Sequence, residues 1–361
     1  MLPTFILSTL ALAASTALAA TTCNGHSELC NRSYGNVTFV GTHDSYAVGS
    51  SIADNQDQSV TQQLNDGVRM LQVQAHNTSS GIHLCHTSCS LLDGGSLSDY
   101  LTTVASWVKS NPNDVISILI VNSDNLPPTA YTSAFDSAGL TNYTYSPSSS
   151  STTLSAWPTL GTLIDAGTRV VVFMDYDASF SSVPWIIDEF SNMWEDAYDV
   201  TSQTFGCAVN RTSGTAGSQL MLINHFLDTS YSLGGTQFWV PDKTKINATN
   251  SASGYGSIGF HVGNCESIWG RNPNHILLDF YDSNGNAPFD LAASLNSVSA
   301  PTNTVSAGSI ATATTTGSTG TAQVSASKLS GAAVTGRLDL GLVLGMVLGV
   351  VGVMVGAGRV L

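Results

Sequence analysis

The stretch Val115-Ile116-Ser117-Ile118-Leu119-Ile120-Val121 is apolar at every position but one. A strand with one wet face alternates apolar and polar residues, whereas a strand covered on both faces reads as a nearly continuous apolar run. This run therefore predicts a strand of a parallel sheet lying between two layers. Outward from it, short β-rich runs recur at Val37–Val40, Val68–Val73, Arg169–Met174, Gln219–Ile223 and Ile276–Phe280. Helix-like stretches separate several of them, notably Leu97–Ser110, which ends in Asn111-Pro112, and Leu154–Ala166. The pattern predicts an α/β fold, and residues 21–293 have the size of a single TIM-type (β/α)8 barrel. In such a barrel the reactive groups sit at the C-terminal ends of the strands.

Three predicted strand ends carry polar residues. Val37–Val40 runs into Gly41-Thr42-His43-Asp44-Ser45, Val68–Val73 ends in Gln74-Ala75-His76, and Ile82-His83-Leu84-Cys85 delivers His86. Imidazole titrates near neutral pH, so one histidine can take a proton while the other gives one. His43 and His86, with Asp44 beside the first, form the candidate acid–base group. His225 closes the run Gln219–Ile223 and is a further candidate for the barrel mouth, with a packed core histidine as the alternative. Asp175 follows another strand and either lines the pocket or belongs to a solvated loop. Trp185, Trp194, Trp239 and Trp269 read as core or loop anchors, with sugar stacking open to one of them.

Val37-Thr38-Phe39-Val40-Gly41-Thr42-His43-Asp44-Ser45, Leu64-Asn65-Asp66-Gly67-Val68-Arg69-Met70-Leu71 and Leu84-Cys85-His86 together resemble the X-region of phosphatidylinositol-specific phospholipase C. The likeness is to the fungal secreted PLC-like phosphodiesterases, specific from about Asn36 to Asn122 and weaker through Asp282. It implies a somewhat irregular TIM-type barrel and a phosphoinositide or glycosylphosphatidylinositol-type lipid as substrate. By that resemblance His43 is the general base for the inositol 2-hydroxyl and His86 the general acid for the diacylglycerol oxygen. Asp279 is the candidate carboxylate orienting His43, with a cap or loop salt bridge as the alternative.

The chain departs from the family pattern on the second strand. Calcium-dependent relatives have two carboxylates there, and bacterial relatives an aspartate and an arginine; here both positions are amides, Gln72 and Gln74. A further acidic metal position reads Asn122. These three amides are candidate substrate contacts, and neither a metal nor another cofactor is expected. Strand parity puts Arg69 with Leu71 and Val73, on the face opposite the glutamines, toward the helix layer. Two readings follow: a metal-independent phosphoric diester hydrolase, or a weak or inactive barrel that binds an inositol phosphate or glycan at the cell surface. A glycosylated wall or adhesion protein with the barrel as scaffold is a third.

The ends of the chain predict an extracellular address. Phe5–Ala14 is an apolar run followed by Ala17-Leu18-Ala19, a small-x-small cleavage pattern, so residues 1–19 read as an export signal. Residues 294–330 are dominated by small and hydroxyl-bearing residues and predict a disordered stalk. Residues 331–361 read as a lipid-attachment signal, with Ser330 as the candidate attachment residue, a short polar spacer through Arg337 and a Gly-rich apolar tail over Leu338–Leu361. The order fits a glycosylphosphatidylinositol anchor; a C-terminal transmembrane segment is the alternative, and it lacks the usual basic flank.

Six cysteines in an exported chain predict three disulfides with 15 pairings open. Proximity favours Cys23–Cys30 and Cys85–Cys89, leaving Cys207–Cys265; a zinc site at Cys85-His86-x-x-Cys89 lacks further ligands at metal spacing. Sequons at Asn31, Asn36, Asn77, Asn142, Asn210 and Asn247 predict a surface glycoprotein. A net charge of −14 argues against nucleic acid and against docking on anionic lipid by charge. A monomer held at the membrane by its lipid is expected.

Overall fold

The computed structural model describes residues 19–233 and 236–305. The expectations on residues 1–18 and 306–361, including the anchor at Ser330, lie outside the described residues. Elements follow in the order β1 (Phe39–Thr42), α1 (Val60–Asp66), β2 (Met70–Thr78), β3 (Gly81–His86), β4 (Leu92–Ser96), α2 (Leu97–Ser110) and β5 (Ile116–Asn122). Then come α3 (Thr129–Ala138), α4 (Leu160–Asp165), β6 (Val170–Met174), β7 (Ile186–Asp188), α5 (Glu189–Asn192) and β8 (Met193–Glu195). The series closes with β9 (Leu220–Asn224), β10 (Asp228–Leu233), β11 (Thr236–Pro241), α6 (Ile246–Thr249), α7 (Ile258–Trp269), β12 (His275–Leu278) and α8 (Ala287–Leu295).

Eight strands run parallel in the order β7-β6-β5-β2-β1-β12-β9-β8. β3 and β4 extend β2 as an antiparallel flap, and β10 pairs with β11 as a separate hairpin. Among the described residues no pairing joins β7 to β8, so the curled sheet is an open barrel. The four residues of α5 are the whole crossover at that seam. The anticipated α/β TIM-type architecture is present, and its irregularity is this seam together with the helix-free connection from β6 to β7.

Parity along the strands divides the side chains between two cores. Leu71, Val73, Ile116, Ile118, Ile120, Val172 and Ile223 face the helices, packing with Leu64 of α1, Leu101 and Val104 of α2, and Phe135 of α3. Phe39, Met70, Leu119, Phe173, Leu222 and Leu277 fill the lumen. Gly41 belongs to the lumen side because a Cβ there would lie 2.7 Å from Leu277. The Cys23–Cys30 disulfide folds the N-terminal segment under the barrel, where the Tyr34 hydroxyl reaches Ser117 Oγ at 2.6 Å and His275 Nε2 at 3.2 Å. With one end closed, the opposite mouth is the available opening.

Local sequence explains most boundaries. Ser96 caps α2 by accepting from Asp99 N, and the helix spans the predicted Leu97–Ser110. The predicted helix Leu154–Ala166 is instead a short turn at Leu154–Ala156 and, after Trp157-Pro158, α4. Proline disfavours helix at the residue before it, and Thr159 then starts the helix as N-cap. The predicted strand Ile276–Phe280 stops at Leu278, since Phe280 takes a left-handed φ of 44°. α8 continues past Ala293 to Leu295, and the Asn296 side chain clamps both backbone groups of Thr38. Val305 is buried and donates to Asn286 Oδ1 at 2.7 Å. The first residues of the expected stalk are thus part of the folded unit.

Candidate active site

β1 and β12 pair in register, Thr42 with Leu278, so the next residues of the two strands, His43 and Asp279, emerge side by side. His43 Nδ1 lies 3.0 Å from Asp279 Oδ1, and Asn55 Nδ2 donates to the same oxygen at 2.9 Å. A carboxylate accepts only, so Nδ1 carries the proton and Nε2 is left for the cavity. Phe226 holds the ring flat, with centroids 3.9 Å apart and planes within 1° of parallel. Burial disfavours a charge on His43, but the carboxylates of Asp279, Asp44 and Asp228 outweigh it and push the pKa up to about 9.

His86 ends β3 and is nearly buried, its Nδ1 at 3.1 Å from Thr87 Oγ1 and its Nε2 at 3.8 Å from Asp44 Oδ2. Each histidine is followed by a residue in the left-handed region, Asp44 at φ 39° and Thr87 at φ 58°. Such a turn needs a fixed partner for its N–H. Gln72 Oε1 accepts from Asp44 N at 2.5 Å, and Gln74 Oε1 accepts from Thr87 N at 2.8 Å. Each glutamine therefore braces the turn after one histidine. Neither side-chain nitrogen has a partner among the described residues, and both glutamines line the cavity.

The opposite wall is built by chain that the strand pattern does not cover. Arg211, on the long connection from β8 to β9, donates through Nε to Glu195 Oε2 at 3.0 Å and through Nη2 to the same oxygen. Its guanidinium lies over the Tyr198 ring, 4.3 Å from the centroid. Burial would weaken its charge, yet Glu195 and Glu189 hold its pKa above the ordinary arginine value. Glu189, wholly buried, has no hydrogen-bond partner for either oxygen among the described residues. Burial and the charge of Glu195 hold its pKa well above the usual range. The Cys207–Cys265 disulfide ties this connection to α7.

A cavity of about 500 Å³ joins these walls and contains His43, His86, Gln72, Gln74, Asp175 and Arg211. Its lining includes five carboxylates (Asp44, Asp175, Glu195, Asp199, Asp228) against the single guanidinium of Arg211. Burial outweighs the N–H groups of Asn122 and Tyr176 and pushes Asp175 up to about 6. Burial and the neighbouring Asp279 push Asp228 up to about 8, against the pull of His43. The cavity is acidic, with polar and aromatic walls.

The structure thus gathers His43, Asp44, His86, Asp279, Gln72, Gln74 and Asp175 at one mouth. Two expectations are corrected. His225 is fully buried away from the cavity, with Nε2 at 2.8 Å from Thr249 O and Nδ1 at 3.0 Å from His261 Nδ1. It alternates with Asn224 and Phe226, which take the lumen side, and burial lowers its pKa to about 3. Asn122 touches the cavity but is not free to bind: Nδ2 donates to Leu126 O and Tyr176 O, while Oδ1 accepts from Leu126 N and Tyr131 Oη. The calcium of some relatives does not fit these residues, because the oxygens of Gln72, Gln74 and Asn122 are all occupied by the chain itself. Among the described residues no group of three or more His, Cys, Asp or Glu is placed to hold a metal.

Arg69 lies outside the sheet, as parity required, paired with Asp114 at 2.7 Å and stacked on Trp107. Sequence reasoning missed Asn55, Glu195, Asp199, Arg211, Phe226 and Asp228. Only the end of the run Gln219–Ile223 carried a signal, read as His225, and parity from the end of β9 selects Phe226 instead.

Known proteins frame this geometry. The family model described as PI-PLC X 1 matches residues 29–296, most of the chain. An Arthroderma benhamiae protein named uncharacterized secreted protein is 43% identical over 284 residues, which cover 76% of this chain and 64% of that relative's length. From the same organism, PI-PLC X domain-containing protein 1 is 43% identical over 262 residues, 72% of this chain and 84% of the relative. Among solved structures, an F249X mutant of phosphatidylinositol-specific phospholipase C from Staphylococcus aureus superposes with a TM-score of 0.50 at 11% identity. That superposition covers 75% of this chain and 95% of the bacterial one, and it speaks for the fold. The chain belongs to the PI-PLC X domain family.

Proposed function

We propose that the protein is a metal-independent phosphoric diester hydrolase that cleaves an inositol phosphodiester by acid–base catalysis. The observation that carries this reading is the His43–Asp279 pair standing in the same cavity as His86. Once the His43 ring has given up its second proton, its Nε2 takes the proton of the inositol 2-hydroxyl, whose oxygen attacks phosphorus. The bond from phosphorus to the glycerol oxygen breaks, and His86 gives that oxygen its proton. A cyclic inositol phosphate and diacylglycerol result, and water reverses the proton roles to open the ring. Asp279 keeps His43 in the right tautomer, as a buried carboxylate does in a Ser-His-Asp triad.

Charge on the non-bridging oxygens needs donors, and losing one costs about 3–4 kcal/mol. Arg211 and the free amide nitrogens of Gln72 and Gln74 are the groups on the cavity wall that supply them. Turnover of phosphatidylinositol by purified protein, with and without chelator, tests the reading beside His43→Ala and His86→Ala. Chelator-resistant turnover that both variants abolish is expected; equal slow turnover by all three proteins sinks it.

A second reading, a barrel that holds an inositol phosphate without cleaving it, draws on the five carboxylates that line the cavity, which disfavour the charge built up during cleavage. Binding by calorimetry that survives His43→Ala, with no turnover by wild type, favours it.

The reading includes an address: export, N-glycosylation and attachment at the cell surface by a lipid at Ser330. Three disulfides, the exposure of all six sequon asparagines and the relative named as secreted support export and glycosylation. Enzymatic removal of N-glycans should lower the apparent mass. Release from membranes by a lipid-anchor-cleaving enzyme tests the attachment.

A further inference from the structure

Asp228 begins β10 on the cavity wall, 5% exposed, and its carboxyl has no hydrogen-bond partner among the described residues. Its placement follows from parity: Asn224, Phe226 and Asp228 take alternate positions and line the cavity, while His225 and Leu227 are buried outside its lining. Phe226 stacks on His43, and two residues later the Asp228 carboxyl lies within range of the charges of His43, Asp279, Asp199 and Asp44. The partner strand β11 presents Gln237, Phe238 and Trp239 to the same space and no charge. Lys243, just after β11, faces Asp54 and Asp279. The proposed mechanism gives Asp228 no task.

We propose that Asp228 is a substrate-binding residue in its protonated form, donating its carboxylic O–H to a non-bridging oxygen of the phosphodiester beside His43. The inference rests on the phosphodiesterase reading and names what that site requires. An anion entering beside His43 meets a repelling charge when Asp228 is ionised and a hydrogen-bond donor when it is neutral. Ionised Asp228 also helps to keep the proton on His43, so neutral Asp228 eases release of the ring to its proton-accepting form. Both effects require the same protonation state. Burial and the Asp279 carboxylate already favour that state at neutral pH.

The probe is glycerophosphoinositol, a phosphodiester with one negative charge throughout, titrated calorimetrically from pH 5 to 9.5 into purified protein carrying His86→Ala so that the probe is not cleaved, wild type here meaning that Asp228 is intact. Wild-type affinity should fall about tenfold per pH unit once Asp228 ionises. Above that pH binding should take up about one proton, read from the dependence of the heat on buffer ionisation. Asp228→Asn keeps a donor without a charge, so its alkaline loss should shrink and its proton uptake should drop by about one. Asp228→Ser gives the same comparison if the amide disturbs folding. Equal alkaline losses and equal proton uptake in wild type and variants overturn the inference and leave the functional reading standing. Absence of wild-type binding at every pH overturns both.

Discussion

On the β1–β2–β3 side of the mouth, the candidate side chains apart from Asn55 sit on a strand or within two residues of its end. His43, Asp44, Gln72, Gln74 and His86 stand where the sheet register and a short turn put them. On the β8–β9–β10 side, the chain from Asp196 to Gln219 carries Tyr198, Asp199 and Arg211 with little regular structure, and the β10–β11 hairpin adds Asp228 and Trp239. The first side is positioned by backbone hydrogen bonds between neighbouring strands. The second relies on one isolated backbone bridge between Glu195 and Arg211, a disulfide, a buried ion pair and aromatic stacking. The proposed proton-transfer groups lie on the strand-positioned side, and the sole guanidinium of the lining lies on the stapled one.

Breaking the strand-positioned side should cost most. His43→Ala or His86→Ala should slow single-turnover cleavage of phosphatidylinositol about a thousandfold, about 4 kcal/mol. A loss of only tenfold would place the chemistry elsewhere. The two disulfides near the mouth compare the sides in stability rather than rate. Cys207 and Cys265 are 58 residues apart and Cys85 and Cys89 only 4. Chain-entropy arguments give a loss of about 4 kcal/mol for the first pair and about 2 for the second. Urea midpoints of the two double serine variants check this, and equal losses would mean that the long connection is held by something other than its staple.

Arg211→Met should lower kcat/KM about a hundredfold, about 3 kcal/mol, with melting temperatures reporting any loss of fold. Arg69→Met should leave kcat/KM within about twofold while lowering stability, because Arg69 holds Asp114, Leu64 O and Val68 O behind the sheet. If the two arginines exchange these effects, the division between the sides is wrong.

The same division decides what was legible in the sequence. The run around Val115–Val121, the parity of Gln72, Gln74 and Arg69, and the histidines after β1 and on β3 were readable because strand pairing converts sequence spacing into position. β7 and β8 were not anticipated, since three residues each carry too little pattern. Arg211 and Asp199 reach the cavity through tertiary contacts that no local period encodes. Asn122 misled for a related reason. Its place at a strand end was right, yet Leu126, Tyr131 and Tyr176 claim its amide.

A smaller effect sharpens the comparison through pH. Asp228 keeps its proton to about pH 8 in the folded chain against a reference of 3.8, and His43 to about 9 against 6.5. The folded state binds more protons through that window, so these groups make stability fall as pH rises from about 4 to about 9. Melting temperature should be a few degrees higher at pH 5 than at pH 9, and Asp228→Asn should flatten part of the slope. An unchanged slope would mean that Asp228 is ionised in both states. The smallest change in stability belongs to Gln72→Met, which removes the acceptor for Asp44 N and should lower the unfolding free energy in urea by about 1–2 kcal/mol.

The unpaired seam between β7 and β8 turns the sheet into a strip with two borders rather than a ring. Strip borders are where amide protons exchange first and where cooperative opening begins. β8 is one such border, its outer edge paired among the described residues by the isolated Glu195–Arg211 bridge alone, and Glu195 also anchors the Arg211 guanidinium. Slow fraying there would detach the guanidinium from the cavity while the histidines on the opposite side keep their places. The barrel can therefore lose its charge clamp through local opening long before it loses its fold.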